Sequence, residues 1–338
     1  MYPFPSINQF RNVVKTVRER ACYMGKNDAG KAVFNPAPVY PKLSFTGTTK
    51  LHGTNAAIVF DERGYTFQSR ERVLTREADN AGFMTHMEQY LLPISTMFQK
   101  IVDLSSVPQD ILETIVVYGE WCGGNIQKGV AINRLPKMFV IFAVKINDQW
   151  IETPNVSCPE ASIYNINQYT SFYIDIDFEH PEEAQNQLTK LTEAVEACCP
   201  VGLAFGIEGV GEGIVWRCDS NPSSEYWFKV KGEKHSASKV KTLAAVDVEA
   251  VKQINDFITM AVTEARLEQG LHNLINEQLK PFAMTSMGDF IRWVHQDVLK
   301  EEADTLQVSG IDYKKLGSPI ALAAKRWFTN KLNEETFK

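Results

Sequence analysis

Apolar positions recur at helical spacing near the start of the chain, where Ile7, Phe10, Val13, Val14 and Val17 fall on one face of a helix predicted over Ser6–Met24, with Ser6 as its N-cap. From Leu43 to about Lys231 the pattern changes to short β-rich runs, which predict strands at Asn55–Phe60, Ile115–Tyr118, Met138–Val144, Ile214–Trp216 and Tyr226–Val230. Helical stretches near Phe83–Val102 and Glu182–Ala197 interrupt them without the regular alternation of a doubly wound nucleotide fold, so an α+β domain is expected. Beyond Ala245 the strand signals stop. Asp247 is placed to cap a helix carrying Val251, Ile254, Ile258, Ala261 and Ala265; Ser286 with Asp289 forms a capping-box-like start before Phe290, Ile291, Val294 and Val298. A third helix begins at Ser318-Pro319 and buries Trp327, Phe328 and Leu332. The expected organisation is a first domain over 1–243 and a small all-helical domain over 244–338, joined by a lysine-rich stretch, with no internal repeat.

Composition narrows the class without naming a function. Of the 338 residues, 44% are hydrophobic and 22% charged, ordinary values for a soluble globular protein. No apolar run approaches the roughly 20 residues needed to cross a bilayer, and Met1–Gln9 lacks the basic start and apolar stretch of a signal peptide, so no membrane partner and a cytoplasmic location are expected. The six cysteines (Cys22, Cys122, Cys158, Cys198, Cys199, Cys218) make no CxxC pair and have no histidine at zinc spacing, which predicts reduced, mostly buried thiols. A formal net charge of −6 excludes a protein coated in positive potential. Any polyanion site is therefore local, and one lysine-rich stretch supplies Lys229, Lys231, Lys234, Lys239 and Lys241 against Glu233 alone. The oligomeric state is open.

Two segments resemble chemistry-bearing motifs. Gly25-Lys26-Asn27-Asp28-Ala29-Gly30-Lys31-Ala32 fits most of a P-loop but ends in Ala32, where a hydroxyl should hold magnesium. It also follows a helix and runs into Asn35-Pro36, leaving no helix N-terminus to cradle phosphate. The second segment, Thr49-Lys50-Leu51-His52-Gly53-Thr54-Asn55, reads alone as a turn with an exposed lysine. Charged residues in or beside the downstream strands change that reading: Glu120 after Val116-Val117-Tyr118-Gly119, Glu212 before Gly213-Ile214-Val215-Trp216, and Lys229 alternating with Lys231. Period two puts Lys229 and Lys231 on one strand face, where like charges repel unless an anion lies between them. Lysines that protect a sheet edge would look the same. The alternative is a phosphate clamp that also favours the neutral, nucleophilic form of Lys50. Glu120 and Glu212 then become acceptors for a ribose hydroxyl and a hydrated divalent metal, or else simple partners of surface lysines.

Taken together, Lys50-Leu51-His52-Gly53, Gly119-Glu120, Phe139-Val140-Ile141-Phe142, Glu212-Gly213 and Lys229-Val230-Lys231 resemble motifs I, III, IIIa, IV and V of the covalent nucleotidyltransferases. Motif I reads KxHGTN, and Tyr118–Lys128 looks like the extended motif III of the RNA ligase 2 family, the phage and RNA-editing type. The resemblance implies a nucleotidyltransferase domain of ATP-grasp-like antiparallel sheets with helices, and an ATP-dependent ligase that uses Mg2+ (or Mn2+). It joins 5′-phosphate and 3′-hydroxyl RNA ends, at nicks or in bridged duplex RNA, through lysyl-AMP and RNA-adenylate. Carried over by position, Lys50 takes the AMP, Glu120 binds ribose, Phe142 stacks on adenine, and Arg70 contacts phosphate or the nucleic acid end. Lys229 and Lys231 bind the ATP phosphates, Glu212 binds metal, and His52 and Asn55 serve the later RNA steps. Three departures stand out: Ala143 where an acid is common, Glu208-Gly209 as a second candidate for motif IV, and Arg217 in place of a lysine. The alternatives are a DNA or mixed-end ligase and a catalytically inactive nucleotide- or RNA-binding relative.

Overall fold

A computed structural model of the chain describes residues 1–28, 30–35, 37–105, 107–108, 111–235, 254–309 and 311–336. The chain opens on a strand: β1 (Asn8–Gln9) pairs in parallel with Phe228–Lys229. The first helix, α1 (Phe10–Cys22), follows with Gln9 as N-cap and no side-chain cap bond. The helix expected from Ser6 therefore starts four residues later, because Asn8 and Gln9 are held extended in the pairing with Phe228–Lys229, with Gln9 at ψ 157°. Phe10, Val13, Val14 and Val17 are buried as expected, while Ile7 packs outside the helix beside Phe4. The P-loop-like segment is a hairpin of β2 (Tyr23–Lys26) and β3 (Ala32–Phe34), so strand follows it rather than helix; its Ala29 lies outside the described residues.

Two sheets dominate the next part. They contain β4 (Lys42–Lys50), β5 (Thr54–Asp61), β6 (Gly64–Ser69), β7 (Ile115–Cys122), β8 (Met138–Ile146), β9 (Gln149–Ile151), β10 (Ile163–Asn165), β11 (Ser171–Asp177), β12 (Gly213–Cys218) and β13 (Phe228–Lys231). One sheet runs β1-β13-β12-β4-β11, the other β10-β8-β7-β5-β6 with β9 added to β8. Pairing is antiparallel throughout these two sheets except at β1/β13 and β10/β8. The architecture is α+β, with mainly antiparallel sheets.

Alternation explains which face of the first sheet is core. Phe45, Gly47 and Thr49 on β4 are buried while Thr46, Thr48 and Lys50 are part-exposed. Across the ladder Trp216 stacks on Phe228 at 6.2 Å and Phe228 lies 4.9 Å from Phe10 of α1. The helix at Glu182–Ala197, with the bounds expected, buries Leu188, Thr192 and Val195. In the second sheet Ile58, Val117, Trp121, Phe139 and Ile141 pack with Phe83, Met97 and Phe98 from the helices Phe83–Met87 and Leu91–Leu104. Six unbridged cysteines complete the inventory, four of them buried.

The chain divides into two compact units, Met1–Gly232 and Glu233–Lys338. The expected boundary between 243 and 244, together with Lys239, Lys241, Asp247 and Val251, lies outside the described residues. The second unit is helical and buries Phe257, Leu271, Phe290, Val294, Val298, Ile320 and Phe328 together. Its first described helix ends at Ala261; the Thr263 hydroxyl accepts from the Arg266 amide at 3.3 Å and caps a new helix, Glu264–His272, which takes Ala265 out of the first. Ser286 is the N-cap of Met287–Glu301 but makes no side-chain cap bond, since its own backbone is already helical (φ −95°, ψ −1°), and Asp289 is paired with Lys280 and, at 2.7 Å, with Arg292. The last helix runs from Gly317 to Thr336, with Phe328 buried as expected and Trp327 and Leu332 half-buried rather than buried. Among the described residues no helix is long and apolar enough to cross a membrane.

Candidate functional site

Register brings the charged residues together. Gly213, the first residue of β12, pairs with Lys50 on one side and with Lys231 on the other. Cross-strand partners project to the same face, so the face opposite the Phe45–Trp216–Phe228 core carries Lys50, Lys231 and Lys229, with Val215 and Arg217 farther along β12. Gly213 has φ +152°, and a Cβ there would lie 2.1 Å from the Val230 carbonyl oxygen. A side chain is excluded at the point where the two lysines converge.

Just before this glycine, Glu212 is 1% exposed. Its Oε2 accepts from Lys50 Nζ at 2.7 Å and lies 3.3 Å from His52 Nδ1; its Oε1 lies 3.1 Å from Lys231 Nζ. Burial alone would raise the Glu212 pKa, but Lys50, Lys231 and His52 outweigh it and hold the carboxyl well below the usual range. Glu208, the other motif IV candidate, is an exposed residue whose carbonyl accepts from Arg134. The carboxylate that meets Lys50 is Glu212.

Lys50 ends β4, and the chain then turns into the second sheet. Leu51 anchors that turn among Cys122, Val130, Ile132 and Val140. Gly53 presses against β7 so closely that a Cβ would meet the Trp121 carbonyl oxygen at 2.4 Å. Its amide donates to Glu120 Oε1 at 2.9 Å, which ties the turn to the second carboxylate. Burial and the negative charge of Glu212 push the Glu120 pKa up to about 7, against the opposing influence of Lys50, the Gly53 amide and Arg70.

The remaining expected residues surround this centre at different distances. Asn55 is the cross-strand partner of Glu120. Arg70 is exposed just beyond β6, close enough for its charge to act on Glu120. Phe142 sits at a bulge, because Tyr118 pairs with Ala143 and Gly119 with Ile141. Its half-buried ring stands edge-on to Phe4 at 5.0 Å. Ala143 is 1% exposed among Tyr118, Val59 and Phe4. An acid at that position would be buried in an apolar cluster, which gives the departure from the motif a physical reason. Arg217 keeps a cation on the lysine face; its guanidinium lies 4.4 Å from the centre of the Trp227 ring, and burial pushes its pKa down to about 10.

Sequence reading missed Phe4, which packs edge-on against Phe142, and Trp227, whose ring lies under the Arg217 guanidinium. Their aromatic character was the available signal, but nothing local distinguished them from ordinary core residues. It expected Glu212 as a catalytic and metal-binding residue or else as a partner of surface lysines, and did not identify Lys50 and Lys231 as the lysines it pairs with.

Arranged this way, two carboxylates and three lysines on two adjoining sheets can receive a phosphorylated ligand beside a lysine amine. The donor set fits a hard divalent cation. Glu212 is held in its ionised form, and magnesium is commonly bound through one or two carboxylates plus the oxygens of bound phosphates and water. Among the described residues no group of three or more His, Cys, Asp or Glu side chains forms a metal cage on its own.

Residues 43–231 match the family described as RNA ligase. No curated protein matches the chain. Among solved structures the chain is similar to the Naegleria gruberi RNA ligase with PPi, at 14% identity over 69% of this chain and 56% of that chain, with a TM-score of 0.42. A mutant of the same Naegleria gruberi RNA ligase with AMP and Mn gives 13% identity over 68% and 56% of the two chains, with a TM-score of 0.41. The chain thus spans a little over half the length of these structures.

Proposed function

The chain belongs to the RNA ligase family, and from that premise we propose that it joins RNA 5′-phosphate and 3′-hydroxyl ends at the expense of ATP, with Lys50 as the residue that carries AMP. The observation that carries the reading is the convergence of Lys50 and Lys231 on the two oxygens of one buried, ionised carboxylate, Glu212. A buried anion that neutralises two lysines orders them for a ligand of higher negative charge, and a triphosphate has that charge.

The chemistry balances in three steps. The Lys50 amine, after losing a proton, attacks the α-phosphorus of ATP; an N–P bond forms, the bond to the bridging oxygen breaks, and pyrophosphate leaves. An oxygen of the RNA 5′-phosphate then attacks the AMP phosphorus and Lys50 departs. The 3′-hydroxyl finally attacks the RNA phosphorus, loses its proton, and expels AMP as the phosphodiester forms. Lys229 and Lys231 hold phosphate charge during the first step, Glu120 accepts a hydrogen bond from the ribose, and Phe142 stacks on adenine. Arg70, His52 and Asn55 serve the RNA end. Magnesium (or manganese), when bound through Glu212 and the phosphates, supplies charge neutralisation at the reacting phosphorus. Nicked or bridged duplex RNA is the proposed substrate, on the strength of the extended motif around Tyr118–Lys128.

The test is incubation with magnesium and ATP labelled at the α-phosphate, followed by denaturing electrophoresis, with Lys50→Ala alongside. Label that survives denaturation in the natural protein and vanishes in the variant supports the reading. Protein that stays unlabelled after pyrophosphate has stripped any AMP already carried defeats it in favour of an inactive binder. Sealing of nicked DNA as readily as nicked RNA would replace the RNA substrate by mixed ends.

A further inference from the structure

The P-loop-like segment has no part in the site, yet its structure is unusual for the surface of a chain of net charge −6. The β2–β3 hairpin exposes Tyr23 at 48%, Met24 at 67% and Phe34 at 59%, with Val33 and Val39 also exposed nearby. Tyr23 and Phe34 are cross-strand partners whose rings meet edge-on at 6.0 Å. Contiguous apolar surface of this kind on a soluble protein marks an interaction site more often than an accident. The hairpin also makes its own closing bonds. Asn27 accepts at its side chain from the Lys31 amide at 3.0 Å and donates its amide to the Lys31 carbonyl at 2.9 Å, while the Asn35 amide donates to the Cys22 carbonyl at 2.7 Å.

Charge selects the occupant. Residues 11–31 hold Arg11, Lys15, Arg18, Arg20, Lys26 and Lys31 against Glu19 and Asp28, the reverse of the chain's overall sign. Arg20 is paired with Glu225, and Arg18 donates to the carbonyls of Phe178 and Glu179 at 3.0 Å, while the exposed lysines at the hairpin and helix are Lys15, Lys26 and Lys31. Aromatic rings with interleaved lysines form the stacking-plus-charge surface that single-stranded nucleic acid uses. A second copy of this chain would bring the same lysines against themselves.

We propose that the β2–β3 hairpin, through Tyr23, Phe34, Lys26 and Lys31, is a contact for unpaired RNA lying outside the reacting ends. This rests on the ligase reading for its choice of RNA, and it adds a substrate-binding surface that the nucleotidyl site does not contain. Bases stack on Tyr23 and Phe34, and backbone phosphates meet Lys26 and Lys31.

The test uses the full chain and a fluorescent oligouridine of roughly 12 nucleotides, in the range of single-strand site sizes. Binding is read by anisotropy across a salt series, with self-labelling by AMP and light scattering measured on the same preparations. Tyr23→Ala with Phe34→Ala should weaken RNA binding about 30-fold or more, as expected for loss of two stacking rings. Lys26→Glu with Lys31→Glu should lower the salt slope by about 1.4, two phosphate contacts at ~0.7 each. Self-labelling should be unchanged in both variants. Natural affinity in both variants overturns the proposal, as does a loss of self-association with RNA affinity intact. Labelling reports the ligase reading and RNA affinity reports the hairpin, so the two fail separately.

Discussion

Lys50 Nζ lies 2.7 Å from Oε2 of Glu212, a contact across 162 residues of sequence that joins the end of β4 to the residue before β12. Glu212 is almost fully enclosed, whereas the Lys50 and Lys231 side chains keep 22% and 13% of their exposure. The carboxylate is therefore the fixed member of the group, and the two lysine heads sit at its solvent side, where an incoming phosphate would meet them.

Replacing Glu212 by Gln should remove that fixed anion while preserving size. Self-labelling is expected to fall by about 10²-fold or more, the scale seen when a preorganised charge is lost from a phosphoryl or acyl transfer site. The fold should suffer as well. Breaking a buried ion pair costs about 3 kcal/mol at the lower end, which corresponds to ~6 °C or more in thermal midpoint for a domain of this size. Calorimetry alongside the labelling assay checks both, and natural values in each would remove Glu212 as the organising centre.

Glu120 predicts a pH signature of its own. Its pKa is raised from 4.5 to about 7, so between those values the folded chain binds a proton that the unfolded chain has released. The stability it contributes is fully present below pH 4.5 and is lost as pH rises through about 7. Glu120→Gln should accordingly be the more stable form above pH 7 and lose that advantage toward pH 4.5. The ionised carboxylate is the stronger acceptor for a ribose hydroxyl, so the ATP concentration for half-maximal labelling should decrease across pH 6 to 8 in the natural protein, around the Glu120 pKa of about 7, and stay flat in the variant. A profile that is the same in both would detach Glu120 from the nucleotide.

Much of this site was visible in the sequence because it breaks the apolar pattern. Glu120, Glu212, Lys229 and Lys231 stand where strands would otherwise carry core residues or an unremarkable surface, and period two correctly put the two lysines on one face. Long-range register was not visible: no local pattern says that Gly213 lies between Lys50 and Lys231. Short elements escaped for a related reason. Two residues of β1 leave no periodicity, yet they moved the start of α1 from Ser6 to Phe10. The bulge that sets Phe142 between two pairs of β7 and β8 likewise has no signature in composition.

His52 touches the same carboxylate as Lys50, at 3.3 Å, and shares the turn that carries Gly53 to Glu120. Two lysines remain on Glu212 when it is removed. His52→Ala should therefore retain more self-labelling than RNA sealing, measured with preadenylated nicked RNA to isolate the last step. Equal loss in both assays would show that the imidazole acts through Glu212 and not on the RNA end.

The helical unit offers a test that is independent of chemistry. Arg266 is 0% exposed, with Nε 2.8 Å from Asp297 and Nη2 3.1 Å from Glu302, which is itself 1% exposed; it also donates to the Ala261 carbonyl. One guanidinium thus ties the end of the first described helix to two later positions. Arg266→Ala removes the guanidinium that meets both the Asp297 and Glu302 carboxylates, and the expected destabilisation is about 3–5 kcal/mol. Arg266→Lys should recover little, because an ammonium cannot span both carboxylates with the planar fork of arginine. The double substitution Arg266→Met with Glu302→Met should recover most of the loss, since it removes both charges and fills the space with apolar volume. Hydrogen exchange over Glu264–His272 and Met287–Glu301 reads the result directly. If the double variant were as destabilised as Arg266→Ala, the geometry made by the guanidinium, and not the loss of its charge beside Glu302, would be what holds these helices.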